Sequence, residues 1–323
     1  MNILMVGHSR SGKTSFMAGM YRYLGESTEG YGISAKKENQ KEQLTKMALD
    51  LSKGRYPDGT NIQNEYEFSL NVHGEELVPF NWIDYRGGIL MSDDPSDSDI
   101  DDFMNALERA DALVVFLDGT KLAESGARWN IEYDLLISCI TKSLSVPHSS
   151  CFHISFVITK CDMVASGANF YGLKRFDNLL RQINDSQTVC AMLIQCQITP
   201  DYYFTPFLVL AYSVYGGTPI YIRRITEAIN KAKKRAEEHR PTSLLGKIFG
   251  VGEIILSGLF GIIDMEWETE YEKTWAAEKN EEELMEKLSE LQSRADELLE
   301  KIKKWNSEDL ITIPVGGINL AHT

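Results

Sequence analysis

Three observations predict an α/β fold built on a mostly parallel sheet. Apolar runs rich in β-branched residues, at Met1–Val6, Asp111–Leu117, Phe152–Thr159 and Phe207–Ala211, alternate with segments of helical spacing such as Ile131–Ser145 and Leu173–Ile183. The first of these runs ends in a glycine-rich turn that leads into another helical segment, Ser15–Leu24. Two alternating stretches, Tyr66–Val72 and Leu77–Ile83, flank His73-Gly74-Glu75-Glu76 and read as a hairpin, so one antiparallel edge is expected on the sheet.

Later segments extend this order. Thr218-Pro219 reads as a helix start, with Thr218 as N-cap, and the helix it opens should stop before Pro241. A first domain over 1–240 follows, with an appendage over 241–323. The appendage begins with Leu244–Ile263, an apolar stretch punctuated by glycines. After it comes a charged helix whose Leu284, Leu288, Leu291, Ala295, Leu298, Ile302 and Trp305 recur at steps of four and three. Five large apolar groups on one stripe must be covered, either by the first domain or by a second copy of the chain.

Composition narrows the class. With 43% hydrophobic and 25% charged residues the 323-residue chain has enough apolar surface for a core, which excludes wholesale disorder. A net charge of −14 disfavours a nucleic-acid backbone as partner. The five cysteines form no C-x-x-C pair and the six histidines show no metal spacing, so a reducing, cytoplasmic setting without a structural metal is expected. No basic region and signal-length apolar stretch precede the first glycine motif, so export by that route is not expected.

The strongest motif is Gly7-His8-Ser9-Arg10-Ser11-Gly12-Lys13-Thr14, a G-x-x-x-x-G-K-T phosphate loop set between a strand and a helix, with Ser15 just beyond it. Its backbone N–H groups can surround phosphates, and the solvent-exposed Lys13 expected of such a loop would meet their terminal charge. Thr14 can ligate Mg²⁺. A second strand should end in an acid for the metal, and Asp84-Tyr85-Arg86-Gly87 offers it: Asp84 for the metal shell, Gly87 for close backbone approach to a γ-phosphate. Thr60, after Pro57-Asp58-Gly59, either reaches the metal when its loop closes or is a turn threonine. The acids from Asp93 to Asp102 read as a solvated switch leading into a helix N-terminus.

Thr159-Lys160-Cys161-Asp162 at the end of a strand resembles the N-K-x-D element of the TRAFAC class of P-loop GTPases, in its dynamin-like T-K-x-D form. The resemblance covers roughly 1–240 and implies GTP and GDP with Mg²⁺ as ligands. It gives Asp162 the guanine donors, Lys160 the face of the base, and Ser213 with Val214, in Ala211-Tyr212-Ser213-Val214, the guanine oxygen. The Trp82-Ile83-Asp84-Tyr85-Arg86-Gly87-Gly88 wording resembles the paired double-GTPase proteins of bacterial conflict systems. Two departures stand out: Gly88 falls where Ras-like enzymes carry a water-orienting glutamine, and Thr159 replaces the asparagine that stiffens the base site. Arg10 occupies the loop position that bears an arginine acting in cis in guanylate-binding proteins, so it is either an internal arginine finger or a surface arginine.

These features imply a switch that binds GTP·Mg²⁺, hydrolyses it slowly through Arg10, Lys13, Thr60 and Gly87, and signals through its loops to a protein partner or second GTPase. The alternatives are a membrane-associated, dynamin-like mechanochemical GTPase and a nucleotide-binding interaction module without useful turnover. The basic residues Arg223 to Arg240 before Leu244–Ile263 fit either peripheral membrane contact or a helical hairpin docked on the first domain. A homodimer is compatible with each.

Overall fold

β1 (Asn2–Gly7) lies in the middle of the sheet, and its six residues are all buried. Ile3 and Met5 point into one core, Leu4 and Val6 into the other, which is the period-two division expected of a strand covered on both faces. The computed structural model describes residues 1–25, 30–57, 64–84, 98–124, 130–145, 151–165, 169–198, 204–238, 281–307 and 313–315. Among these, eight strands run in the order β2-β3-β4-β1-β5-β6-β7-β8.

The strands are β2 (Tyr31–Ala35), β3 (Asn64–Val72), β4 (Glu75–Asp84), β5 (Ala112–Asp118), β6 (Phe152–Thr159), β7 (Val189–Gln195) and β8 (Ile313–Val315), besides β1. β4, β1, β5, β6 and β7 are mutually parallel. β3 runs against both β2 and β4, and β8 runs against β7. The predicted hairpin is present: His73 and Gly74 form its two-residue turn with φ of 51° and 87°, the doubly left-handed pair that matches strand twist. The antiparallel edge carries one strand more than the sequence indicates, β2. At the far edge, Pro314 in β8 costs no ladder bond that an interior strand would need.

Helices cover both faces. α1 (Lys13–Gly25), α2 (Glu38–Ser52), α7 (Phe204–Glu238) and α8 (Glu281–Ser307) contribute to one core. α3 (Ser98–Glu108), α5 (Asn130–Leu144) and α6 (Asp177–Asp185) contribute to the other, and the short α4 (Gly119–Ala123) follows β5. This is the α/β architecture with a mostly parallel sheet and an antiparallel edge that the sequence predicts, with C-terminal helical structure added to it.

Two sequence expectations are corrected here. Phe207–Ala211 is helix, not strand: it lies within α7, whose residues from Thr205 to Val214 are all buried. A helix buried all round shows no amphipathic period, so its apolar run imitates a buried strand. Thr218-Pro219 is interior to the same helix rather than its start. Proline there cannot donate to the helix, while the Thr218 hydroxyl donates back to the Val214 carbonyl at 2.6 Å.

α8 buries the stripe read from its sequence. Leu284, Leu288, Leu291, Ala295 and Leu298 are each at most 3% exposed, and the helix packs on α7. Its cover is therefore the rest of this chain. The side chains of Ile302 and Trp305, the stretch Leu244–Ile263 and the basic side chains from Lys231 to Arg240 lie outside the described residues. No described helix is long and apolar enough to cross a membrane.

Candidate functional site

Chain order places the site. From β1 the chain crosses to build β4 on one side and β5 on the other, so the carboxyl ends of these strands border a crevice at the reversal. Register brings Asp84 beside Met5, Phe116 beside Gly7, and Thr159 beside Asp118. The phosphate loop leaves β1 into this crevice and turns directly into α1. Gly12 takes φ of 91°, a conformation that a side chain would strain.

A cleft of about 400 Å³ joins the two predicted halves of the site. Ser9, Arg10, Ser11, Gly12, Lys13, Thr14 and Ser15 form its phosphate end; Thr159, Lys160 and Asp162 stand at the other. Gly7 and His8 do not line it. Gly7 ends β1, and His8 is turned back into the protein, 4% exposed, with its ring 6.0 Å from Tyr133 and its Nδ1 3.7 Å from the Glu132 carboxylate on α5. Burial pulls the His8 imidazole down to about 4, although Glu132 opposes the shift.

Lys13 is not the exposed lysine that the motif predicts: it is 6% exposed. Its ammonium donates to the carbonyls of Gly7 at 2.9 Å and His8 at 3.2 Å, and lies 4.0 Å from Asp84 Oδ1. Burial lowers its pKa and Asp84 pulls the other way. The loop thus folds its carbonyls around its own cation, leaving the N–H groups for phosphates. Asp84 is fully buried at the end of β4 and Thr14 is half-buried at the start of α1. Together they offer a carboxylate and a hydroxyl, the all-oxygen donor set that Mg²⁺ takes.

Thr159 takes over a structural task. Its hydroxyl donates to the Ser11 carbonyl at 2.7 Å, with the Leu117 carbonyl at 3.2 Å, so the base-side turn is bonded to the phosphate loop and to β5. The stiffening lost with asparagine is supplied by a shorter side chain. Lys160 has φ of 57°, and its ammonium donates to Asp118 Oδ2 at 2.5 Å. Asp118 also accepts from the Thr120 N–H and hydroxyl as N-cap of α4. Burial alone would raise the Asp118 pKa; the bonds from Lys160 and Thr120 outweigh it and hold the carboxyl below its ordinary value. The Lys160 stem is thereby laid along the cleft wall, and Asp162 remains exposed in the cleft, as a guanine acceptor must be.

Ser213 and Val214 are not part of the site. Both are buried within α7, where the Ser213 hydroxyl donates to the Val209 carbonyl four residues back. The segment after β7 borders the cleft instead. Cys196 N–H donates to Ile158 O at 2.7 Å and Cys161 N–H donates to Cys196 O at 3.2 Å, which knits this segment to the T-K-x-D turn, and Ile198 lines the cleft. Tyr56 is a further wall residue, held by its hydroxyl to Ile198 O at 3.0 Å. Neither had a motif; the apolar run 189–194 before a polar break was the only signal for the former. Arg10 sits exposed at the cleft with φ of 63°, while Thr60 and Gly87 lie outside the described residues.

Residues 4–142 match the Double-GTPase 1 family. No curated protein matches the chain in sequence. Among solved structures, the chain is similar to a bacterial selenocysteine-specific elongation factor, EF-Sec, at 13% identity and a TM-score of 0.32, over 61% of this chain and 25% of that one. It is also similar to the signal recognition particle receptor SRb-GTP/SRX complex from Chaetomium thermophilum, at 14% identity and a TM-score of 0.35, over 61% of this chain and 90% of that one. The chain thus spans a quarter of the length of the elongation factor. The phosphate loop and the T-K-x-D turn share one cleft, and the stretch that holds the phosphate loop and the buried acid at the end of β4 resembles the Double-GTPase 1 proteins.

Proposed function

We propose that the protein is a guanine-nucleotide switch: it binds GTP with Mg²⁺, hydrolyses it slowly to GDP and phosphate, and signals to a protein partner through the loops around Thr60 and Gly87. The observation that carries the reading is the single cleft walled by the phosphate loop and by Thr159, Lys160 and Asp162. Asp162 would accept from guanine N1–H and its exocyclic amine. Adenine has neither donor at those places and would leave the acid unpaired, which gives the discrimination a physical basis. Thr14 and Asp84 would hold the Mg²⁺, which when bound neutralises phosphate charge. Gly88 has no side chain to orient water, so slow intrinsic turnover is expected.

Calorimetric titration of the full chain with GTP, GDP and ATP tests the reading. GTP and GDP should bind far more tightly than ATP, and Asp162→Asn should move the preference toward xanthine nucleotides. Equal affinity for ATP and GTP would overturn guanine recognition, and failure to release phosphate from bound GTP would reduce the protein to a binding module.

A further inference from the structure

A second cluster of reactive side chains lies at the other end of the sheet, where β6 and β7 begin. Cys151, His153 and Cys190 place their ligand atoms within 4.8 Å of one another. His153 pairs with Cys190 across the β6–β7 ladder, so both share one face of the sheet, and Cys151, just before β6, brings its sulfur to the same cluster. The two sulfurs are 2.7 Å apart, inside the contact distance of neutral thiols. Two thiols and an imidazole thus form a compact set of soft donors.

The surroundings are shaped around the imidazole. His153 is buried, with Tyr212 and Tyr215 of α7 edge-on to its ring at 5.0 and 5.5 Å. Opposite it α7 carries Gly216, where a Cβ would stand 2.0 Å from His153 Cγ, so the helix has room for this ring only because residue 216 has no side chain. His153 Nδ1 is 3.1 Å from the Cys151 carbonyl oxygen, which ties the ring to the residue bearing one of the thiols. Cys151 is half-buried and supplies a way in from solvent.

We propose that Cys151, His153 and Cys190 bind a thiophilic metal ion, with Zn²⁺ as the fitting class, and so clamp the starts of β6 and β7 beneath α7. Two thiolates and an imidazole are a donor set that zinc takes, with the fourth position left to water. Tetrahedral bond lengths of about 2.3 Å to sulfur and 2.0 Å to nitrogen separate the ligand atoms by roughly 3.4–3.8 Å. The cluster reaches this when the sulfurs part by about 1 Å. Binding one Zn²⁺ converts both thiols to thiolates and releases two protons; nothing is oxidised. A Cys151–Cys190 disulfide is the competing outcome of the same closeness, and it makes no use of the imidazole that shares the cluster. Sequence spacing conceals the site, because its third ligand is on a different strand.

The test uses the full chain, reduced and freed of metal. Cobalt(II) titration should reach one equivalent per chain with the intense visible bands of tetrahedral thiolate coordination, and Zn²⁺ should displace it. Cys151→Ser, at the half-buried position, and Cys190→Ser should each abolish these bands. His153→Gln, which keeps most of the ring's volume, should weaken Zn²⁺ in a chelator competition by at least about tenfold, the lower end of what even an outer-shell partner is worth. Zn²⁺ should also raise the melting temperature of the wild type and not of Cys151→Ser. Only an octahedral, aqueous-type cobalt spectrum from the reduced wild type would overturn the proposal. So would a Cys151–Cys190 disulfide in peptide maps of the chain as isolated without reductant.

Discussion

Arg10 combines two facts that bear on catalysis. It lines the cleft from the phosphate loop, and its backbone is left-handed, which costs a residue with a Cβ roughly 1 kcal/mol or more. With Gly88 unable to orient water, charge on the transferring phosphoryl group must be met by cations, and Arg10 and Lys13 are the two the loop provides. Arg10→Ala keeps the same backbone requirement and removes the guanidinium. It should lower single-turnover GTP hydrolysis at least about tenfold, ~1.4 kcal/mol of barrier, with GDP affinity little changed. Unaltered hydrolysis in that variant, alone and with its partner present, would make Arg10 a surface residue. His8 yields a different expectation. Its folded pKa is about 4 because it is buried, against 6.5 for a free imidazole. Between those values the unfolded chain binds a proton that the folded chain refuses, so stability is lost as pH falls from about 6.5 to about 4, by up to about 3 kcal/mol. Urea midpoints over that range should drop more steeply for the wild type than for His8→Asn; equal slopes would mean that the acid lability has another source. That Lys13, Thr14, Lys160 and Asp162 come together in one cleft was legible because each belongs to a motif of fixed spacing at the end of a strand. Which way a motif residue turns was not. Lys13 bonds its own loop and His8 faces α5, and both outcomes depend on packing partners far along the chain.

At the level of elements, the site depends on how three turns are fastened together. Thr159 bonds the phosphate loop, and Cys196 bonds the turn that bears Asp162, through groups that a linear reading cannot connect. Thr159→Val keeps the shape and deletes the donor. It leaves the Ser11 carbonyl, in a residue 1% exposed, without its 2.7 Å partner. An unmet buried acceptor costs about 1–3 kcal/mol. The variant should unfold at lower denaturant and, because the loop loses its tether, bind GTP more weakly; Thr159→Ser, which retains the hydroxyl, should recover most of both. If Thr159→Val matches the wild type in GTP titration, the tether does not position the loop. Strands whose neighbours lie on both faces, such as β1, β5 and β6, were read correctly from their β-branched apolar runs. The apolar pattern places the last parallel strand at Phe207-Leu208-Val209-Leu210-Ala211, which carries strand-like side chains into the helix α7, while Val189-Cys190-Ala191-Met192-Leu193-Ile194, with its Cys, Ala, Met and Leu, forms the actual strand β7. Where burial is complete, the period that separates helix from strand vanishes, and the site residues assigned to that element move with it.

For the whole molecule, the question is whether the C-terminal helix is an appendage or part of the core. α8 joins the same core as α1, α2 and α7, and β8 extends the sheet beyond β7, so the chain's last described elements close structure laid down by its first. Leu291 of α8 is 1% exposed in the core that this helix shares with α7, while Met285, on the same helix, is 41% exposed. Truncating a buried leucine costs its transfer free energy plus that of the cavity left behind, about 2–5 kcal/mol. An exposed substitution away from such contacts stays within about 0.5 kcal/mol. Leu291→Ala should therefore shift the urea midpoint strongly in a single transition that includes the nucleotide-binding domain, and Met285→Ala should not. GTP affinity should be unchanged in both under native conditions, because the described residues that line the cleft come from the loop before α1, the start of α1, the segment after α2 and the ends of β6 and β7. If instead Leu291→Ala melts α8 at low urea while the rest unfolds at the wild-type midpoint, the helix is a separable unit laid on a finished core.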